Sequence, residues 1–252
     1  MKKPIIGISS NEMVNFDGWF LEQDIVYVKK EIIKVVDEVG GIPLIIPMLN
    51  NDRHVDSYLD TIDGLIITGG HDVYPLLYSE DMQLKCGDIH PQTDFFDSYL
   101  LKKALKRQMP IIVICRGVQI ANVSYQGTLI QDIERDKQSV IKHHAPKESN
   151  LNVHKINILD NDSLFSKVTG LKDKAYVNSI HHQAIDELAS IFKVVAKAND
   201  EVIEIIELKD SKQFFIGTQF HPEILASNGN EKMLALFKGM IDYITKSKNW
   251  SE

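Results

Sequence analysis

The sequence predicts an α/β fold with three layers: a twisted, mainly parallel central sheet flanked by helices on both faces. Short runs of Ile and Val alternate with helical patterns through the first half of the chain. Such unalternated apolar runs are typical of parallel strands that are covered on both faces. The second half has several strand-like segments with few helices between them, which indicates additional mixed or antiparallel pairing there.

The first half supplies the predicted parallel strands. Apolar runs mark three of them, at 5–9 (IIGIS), 42–47 (IPLIIP) and 64–68 (GLIIT). Apolar residues at helical spacing predict a helix between the first two strands, with the face Ile25, Val28, Ile32, Val35 and Val39. Gly40 and Gly41 end that helix. A second helix, over about 94–107, leads through Pro110 into a fourth strand at 111–114 (IIVI).

The second half supplies the remaining strands and a last helix. Strand patterns occur in four segments, at 153–159 (VHKINIL), 192–198 (FKVVAKA), 202–208 (VIEIIEL) and 214–220 (FFIGTQF). The final helix has one apolar face, formed by Met233, Leu234, Phe237, Met240, Ile241 and Ile244. The polar stretch 134–152 separates the halves and is the best candidate for a mobile loop. No long linker or repeat divides the chain, so residues 1–252 are predicted to form one domain.

Composition excludes several classes of function. The 252 residues are 44% hydrophobic and 25% charged, as in a globular protein with a sizeable core. The net charge of −7 argues against nucleic acid or an anionic membrane as the main partner. No stretch approaches the roughly 20 apolar residues that span a bilayer. The two cysteines, Cys86 and Cys115, form no disulfide framework, and a reducing cytoplasm is the expected location.

Cys115 lies where the strand at 111–114 is predicted to meet a helix. A residue on such a sharp turn stands above the carboxyl ends of the strands, where open α/β sheets bind ligands. The positive end of the following helix would stabilise a thiolate there. A nucleophile elbow has small residues two before and two after the nucleophile; Gly117 fits this pattern and Val113 does not. This stretch alone leaves open whether Cys115 is a core residue or a nucleophile.

The segment FHPE, residues 220–223, contains the best candidate for a general base. His221 and Glu223 are two residues apart, so they lean to the same side of extended backbone. A carboxylate in that position can hold an imidazole in one tautomer. On its own, the segment is better explained by a strand-ending turn with a chance ion pair.

Four motifs occur together in a fixed order: GGHDVYP at 69–75, CRGVQ at 115–119, VNSIHHQA at 177–184 and GTQFHPE at 217–223. In this combination the chain resembles the class I glutamine amidotransferase-like superfamily, whose fold is flavodoxin-like. Within it, the sequence is most similar to the gamma-glutamyl-gamma-aminobutyrate hydrolase family. The resemblance extends from residue 4 to the final helix.

The resemblance implies a Cys-His-Glu triad. Cys115 would be the nucleophile, His221 the general base and acid, and Glu223 the residue that orients His221. The reaction would pass through a γ-glutamyl thioester on Cys115, from which water releases glutamate. The backbone N–H groups of Arg116 and of the turn around Gly70 would form the oxyanion hole.

Four further residues are implied as substrate contacts or pocket wall: Gln119, Ser179, His181 and His182. A metal site at the adjacent histidines is disfavoured, since neighbouring residues in a strand point to opposite faces. No metal or cofactor is therefore expected.

Four residues depart from the family pattern: Thr93, Asp97, Val113 and Gln126. None belongs to the implied triad. They indicate a divergent member, in which the substrate is more in doubt than the chemistry.

Three functions are compatible with these motifs. The first is a free-standing thiol hydrolase of small γ-glutamyl amides. The second is a glutaminase that delivers ammonia to a separate synthetase subunit, and the third is a non-catalytic member that binds a small amino-acid derivative. The leading hypothesis is the hydrolase, with a small molecule as its partner; a homodimer is left open and a synthetase partner is less favoured.

Overall fold

The computed structural model describes residues 3–15, 23–49, 53–137, 139–210 and 212–248. The strands are β1 Ile5–Ser9, β2 Asn11–Asn15, β3 Gln23–Tyr27, β4 Ile42–Ile46, β5 Gly64–Ile67, β6 Ile111–Ile114, β7 Leu129–Ile130, β8 His154–Ile158, β9 Lys174–Val177, β10 Ala184–Ile185, β11 Phe192–Ala198, β12 Ile203–Leu208 and β13 Phe215–Thr218. The α-helices are α1 Lys30–Glu38, α2 Val55–Thr61, α3 Pro91–Lys106, α4 Arg116–Ser124, α5 Ile133–Asp136, α6 Leu164–Thr169, α7 Pro222–Ser227 and α8 Glu231–Lys248. None of the helices in these ranges is long and apolar enough to cross a membrane.

Nine strands form one sheet in the order β4-β1-β5-β6-β13-β12-β11-β8-β9. The five strands from β4 to β13 are parallel, whereas β12, β11, β8 and β9 extend the sheet by antiparallel pairing. The predicted α/β fold and the antiparallel character of the second half are both confirmed. Because β6 and β13 are parallel neighbours, their carboxyl ends lie at the same edge of the sheet.

The sheet separates two hydrophobic cores. Alternate residues of β6 point to opposite sides: Ile112 and Ile114 face the core under α1, α6 and α8, while Ile111 and Val113 face the core under α2, α3 and α4. All four residues are fully buried or nearly so. This double coverage explains why the strand sequences show no polar alternation.

The structure corrects the predicted start of the first helix. Ile25 belongs to β3, which pairs antiparallel with β2, and the helix begins only at Lys30. The segment QDIVY contains β-branched and aromatic residues, which favour a strand, and residues 11–15 offer it a partner strand. It therefore forms a strand although its apolar residues have helical spacing. The buried face of α1 then consists of Ile32, Val35 and Val36.

Two other predicted elements differ in detail. Helix α3 begins at Pro91, three residues before the predicted position, where proline is well suited to the first helical turn. The polar stretch at 134–152 contains most of α5 and a 3-10 turn at Pro146–Glu148. It also brings His143 into a buried position.

Candidate active site

Cys115 occupies a sharp turn between β6 and α4. Its backbone has φ 53° and ψ −110°, a conformation that residues with side chains rarely adopt. The backbone N–H of Cys115 donates to the carbonyl of Thr218 in β13, at 2.8 Å. A Cβ on Gly117 would lie 2.6 Å from the carbonyl oxygen of Ile67, so only glycine fits two residues after the cysteine. The turn has the geometry of a nucleophile elbow.

His221 and Glu223 lie at the end of the neighbouring strand. His221 precedes α7, and its Nδ1 lies 2.7 Å from Oε1 of Glu223. Both side chains are buried, at 3% and 4% exposure. Asn178 holds the backbone of His221 from both sides, because its Oδ1 accepts from the His221 N–H at 2.9 Å and its Nδ2 donates to the His221 carbonyl at 3.0 Å.

The structure brings Cys115 and His221 together. A Cβ on Gly69 would lie 3.0 Å from Cε1 of His221 and 3.3 Å from Cβ of Cys115, so both side chains pack against this glycine. Burial by itself lowers the pKa of His221, but the charges of Glu223 and Cys115 beside it outweigh burial and raise this pKa to about 10. His221 is therefore an imidazolium near neutral pH.

A small open cavity of about 260 Å³ lies in front of Cys115. Gly70 and Arg116 line it. Arg116 is the first residue of α4, so its backbone N–H has no acceptor within the helix. A Cβ on Gly70 would lie 2.3 Å from Oδ1 of Asn11, which leaves no room for a side chain. The two predicted oxyanion-hole residues thus border the same cavity as the thiol.

Of the predicted substrate contacts, Gln119, His181 and His182 line this cavity. The Nε2 of Gln119 donates to the carbonyl of Gln183 at 3.2 Å and to Oε1 of Gln219 at 3.1 Å. Ser179 is fully buried.

The hydroxyl of Ser179 donates to the carbonyl of His143 at 2.7 Å, so it supports the backbone of a neighbouring loop. A contact of Ser179 with substrate stays a prediction.

The adjacent histidines have different partners, although neither lies in a strand as the prediction assumed. The Nε2 of His182 lies 2.9 Å from Oδ2 of Asp72, and its Nδ1 lies 3.5 Å from Asp132. The hydrogen bond to Asp72 raises the pKa of His182. His181 turns instead toward Glu204 on β12.

The sequence analysis missed the partners of the Arg116 side chain. This guanidinium is buried, at 2% exposure, between two carboxylates of α3. Its Nη1 donates to Asp94 at 2.8 Å and its Nη2 donates to Asp97. Asp94 and Asp97 are three residues apart, and this spacing on one helical face was a signal for a shared partner.

Two of the departures from the family pattern have local explanations. Val113 faces Gly217 on the adjacent strand. A Cβ at Gly217 would lie 3.0 Å from Cγ2 of Val113, so the missing side chain makes room for the valine. Gln126 has φ 72°, in the left-handed region that favours the glycine of relatives.

A second buried group could hold a metal ion. It consists of His143, His154, His181 and Glu204, whose potential ligand atoms all lie within 4.8 Å of one another. From the sequence, only the adjacent pair His181 and His182 was considered as a metal site. The other members come from distant segments, and no spacing in the sequence points to them.

Residues 4–223 match the sequence profile of the family Peptidase C26, and this range includes Cys115, His221 and Glu223. The chain belongs to the peptidase C26 family. This family falls within the class I glutamine amidotransferase-like group that the motifs indicated.

Two relatives and one solved structure show what the chain is similar to. The chain is 32% identical over 244 residues to Protein NtpR of Enterococcus hirae, covering 96% of this chain and 98% of that protein. It is 26% identical over 227 residues to gamma-glutamyl-gamma-aminobutyrate hydrolase PuuD of Escherichia coli strain K12, covering 84% of each. A glutamine amidotransferase structure from Thermotoga maritima has the same fold, with a TM-score of 0.60, 11% identity, and coverage of 96% of this chain and 99% of that chain.

The match to the family and the similarity to a hydrolase place the chain in a glutamine amidotransferase-like hydrolase family.

Proposed function

We propose that the protein is a cysteine-dependent hydrolase of small γ-glutamyl amides that acts through a γ-glutamyl thioester on Cys115. One observation carries the proposal, the arrangement of three side chains. Cys115, at a strained turn beside a cavity, packs with His221 against Gly69, and Nδ1 of His221 lies 2.7 Å from Oε1 of Glu223. A buried core cysteine would need neither the strain nor the two partners.

The raised pKa of His221 defines the resting state of the proposed site. In the proposed reaction the sulfur of Cys115 attacks as a thiolate, next to the protonated His221. The thiolate attacks the γ-carbonyl carbon, and the C–N bond of the amide breaks as His221 gives its proton to the departing amine. Neutral His221 then removes a proton from water, which attacks the thioester and releases glutamate.

Both steps place negative charge on the carbonyl oxygen. The backbone N–H groups of Arg116 and Gly70, which border the cavity, are the proposed donors to it. Losing one such donor typically raises the barrier by about 3 kcal/mol. The buried contacts of the Arg116 side chain to Asp94 and Asp97 keep the first turn of α4, and with it the Arg116 N–H, in position.

The size and charge of the cavity support a small amino-acid derivative as substrate. Its volume of about 260 Å³ is at the small end for ligand sites. Its lining includes the carboxylates of Asp72 and Asp88 together with His182, whose pKa is raised. The carboxylates suit the amino end of a γ-glutamyl group, and an imidazole can donate a hydrogen bond to its carboxylate end. The relative named gamma-glutamyl-gamma-aminobutyrate hydrolase points to the same class of substrate.

A panel of γ-glutamyl amides, including glutamine and γ-glutamyl-γ-aminobutyrate, tests this function in the isolated protein. We expect steady release of glutamate from at least one amide without any partner or nucleotide, and none from the Cys115→Ala variant. Release from glutamine alone, at a rate that rises only when a synthetase is added, would favour ammonia delivery. Tight binding of an amide without glutamate release would make the protein a binding member and overturn the proposal.

A further inference from the structure

Four side chains from distant parts of the chain converge behind the wall of the Cys115 cavity. His143 comes from the loop before β8, His154 begins β8, His181 follows β9, and Glu204 lies on β12. All four are buried, with exposures of 4%, 7%, 4% and 1%. We call this group the His3Glu cluster.

The inward-facing atoms of the His3Glu cluster lack hydrogen bonds. Among the described residues, five buried atoms have no hydrogen-bond partner. They are Nδ1 of His143, Nε2 of His154, Nε2 of His181 and both carboxylate oxygens of Glu204. Leaving a buried polar group unpaired costs about 1–3 kcal/mol, and more when the group is charged. Five such atoms around one point therefore indicate that something binds between them.

The outward nitrogens of the three histidines do have partners. The Nε2 of His143 lies 2.8 Å from Asp200, and the Nδ1 of His181 lies 2.9 Å from the carbonyl of Gln183. The Nδ1 of His154 lies 3.4 Å from the carbonyl of Lys155. A ring nitrogen that faces a carbonyl or carboxylate carries the proton, so the inward nitrogen presents its lone pair. Histidines that bind metals in proteins are oriented in this way.

The distances from Glu204 to the three histidines are close to those between the ligands of a tetrahedral metal. Oε1 of Glu204 lies 3.6 Å from Nδ1 of His143, 3.3 Å from Nε2 of His154 and 3.7 Å from Nε2 of His181. A zinc ion with N and O ligands at about 2.0–2.1 Å holds those ligands about 3.3–3.4 Å apart. Direct hydrogen bonds between the same atoms would be shorter, about 2.7–3.2 Å. The three distances from Glu204 are therefore longer than direct hydrogen bonds and close to the spacing of zinc ligands, and all four potential ligand atoms lie within 4.8 Å of one another.

We propose that His143, His154, His181 and Glu204 bind one divalent transition-metal ion, with Zn²⁺ the best match to three imidazoles and a carboxylate. The donor set excludes Mg²⁺ and Ca²⁺, which take oxygen ligands. Four protein ligands complete a tetrahedron and leave no position for substrate, so the role is structural.

The metal would tie the active-site wall to the sheet. His181 belongs to the segment that contributes Gln183, whose carbonyl accepts from Gln119 beside Cys115. The backbone carbonyl of Glu204 accepts from the N–H of Gln219 at 2.8 Å, two residues before His221. A cavity of about 440 Å³, lined by His143 and His181 among others, offers a route of entry.

Metal analysis of the purified protein by inductively coupled plasma mass spectrometry tests this site. We expect about one equivalent of zinc. After chelator treatment, added Co²⁺ should give the visible absorption bands of a tetrahedral site, and zinc should raise the melting temperature of the apoprotein. Less than about one-tenth of an equivalent, both as purified and after dialysis against Zn²⁺, together with no Co²⁺ bands, would overturn the proposal.

Variants locate the ion within the chain. Glu204→Gln and His154→Gln should each lose most of the bound metal. His144→Gln is the matched control, since His144 is exposed and adjacent to His143 but lies outside the cluster. Equal zinc content in all three variants would assign the metal elsewhere and contradict the site. Should the ligand variants not fold, the Co²⁺ spectrum of the parent protein still decides the question.

Discussion

Oε1 of Glu223 lies 2.7 Å from Nδ1 of His221, and both side chains are buried. A carboxylate at Nδ1 keeps the proton on that nitrogen and directs Nε2 away from it, and the imidazole packs with Cys115 against Gly69. Glu223 thus acts on the reacting atoms through His221 and has no need to touch the substrate itself.

Replacing Glu223 by glutamine should slow thioester formation while leaving substrate affinity nearly unchanged. The amide keeps the shape of the side chain but loses the charge that stabilises the imidazolium. We expect a rate loss of about one to four powers of ten, as for the orienting residues of comparable triads. Single-turnover kinetics with a γ-glutamyl amide measure both quantities. Full activity in Glu223→Gln, with activity abolished by a change at His182, would assign the base to the VNSIHHQA segment.

The two thiols should differ sharply in reactivity. Burial and the nearby charge of Asp72 raise the pKa of the Cys86 thiol to about 11, so Cys86 stays protonated near neutral pH. Cys115 has an imidazolium and a helix N-terminus beside it. Iodoacetamide labelling at pH 7 followed by peptide mass spectrometry should therefore find Cys115 modified first. Preferential labelling of Cys86 in the folded protein would count against Cys115 as the nucleophile. The control is Cys86→Ala, in which Cys115 is the one cysteine left to label.

The protonation of His221 should persist well above pH 7. Its pKa, raised from the ordinary 6.5 to about 10, means that the folded state holds this proton more tightly than the unfolded chain does. The resulting stability is fully present below about pH 6.5 and is lost as the pH rises through 10, by at most about 1.4 kcal/mol per pH unit. In ¹⁵N-histidine NMR spectra we expect one imidazole to titrate far above the others. In Cys115→Ala the pKa of His221 should be lower than in the parent protein. An unchanged pKa would show that Cys115 does not interact with His221.

Breaking the buried contact between Arg116 and Asp97 should destabilise the fold. Burial, offset in part by Arg116, raises the pKa of Asp97 to about 6, so this carboxylate is ionised at pH 7. Asp97→Asn leaves the buried guanidinium with Asp94 alone. We expect a loss of about 3 kcal/mol in the free energy of unfolding, the low end for a broken buried pair.

Urea unfolding at pH 7 measures this loss. Asp56→Asn is the matched control, because Asp56 pairs with Lys103 and Arg107 at the surface, where screening leaves little energy. Equal stabilities of the two variants would show that the buried pair does not contribute.

The sequence predicted those parts of the site that depend on neighbouring strands. Cys115 and His221 are 106 positions apart, yet each ends a strand, and parallel pairing of β6 and β13 brings the two ends together. Apolar patterns located the two strands, and the family resemblance implied the pairing of Cys115 with His221. The start of α1 was wrong because the helical spacing of Ile25 could not reveal that residues 11–15 offer a pairing partner.

Other features depend on contacts that no local pattern encodes. Arg116 was predicted for its backbone N–H, whereas the contacts of its side chain with α3 required the packing of two helices. The His3Glu cluster joins two loops to two strands, and His143 lies in a polar stretch that resembled an ordinary loop. Long-range convergence of single residues leaves no periodic signal.

Trapping the acyl-enzyme tests the central claim most directly. The parent protein is mixed with a γ-glutamyl amide, quenched with acid within one turnover, and digested for peptide mass spectrometry. We expect a mass increase of one γ-glutamyl group on the peptide that contains Cys115, lost on treatment with hydroxylamine and absent from Cys115→Ala. Glutamate release without any adduct on Cys115, or an adduct on Cys86 that persists in Cys115→Ala, would contradict it.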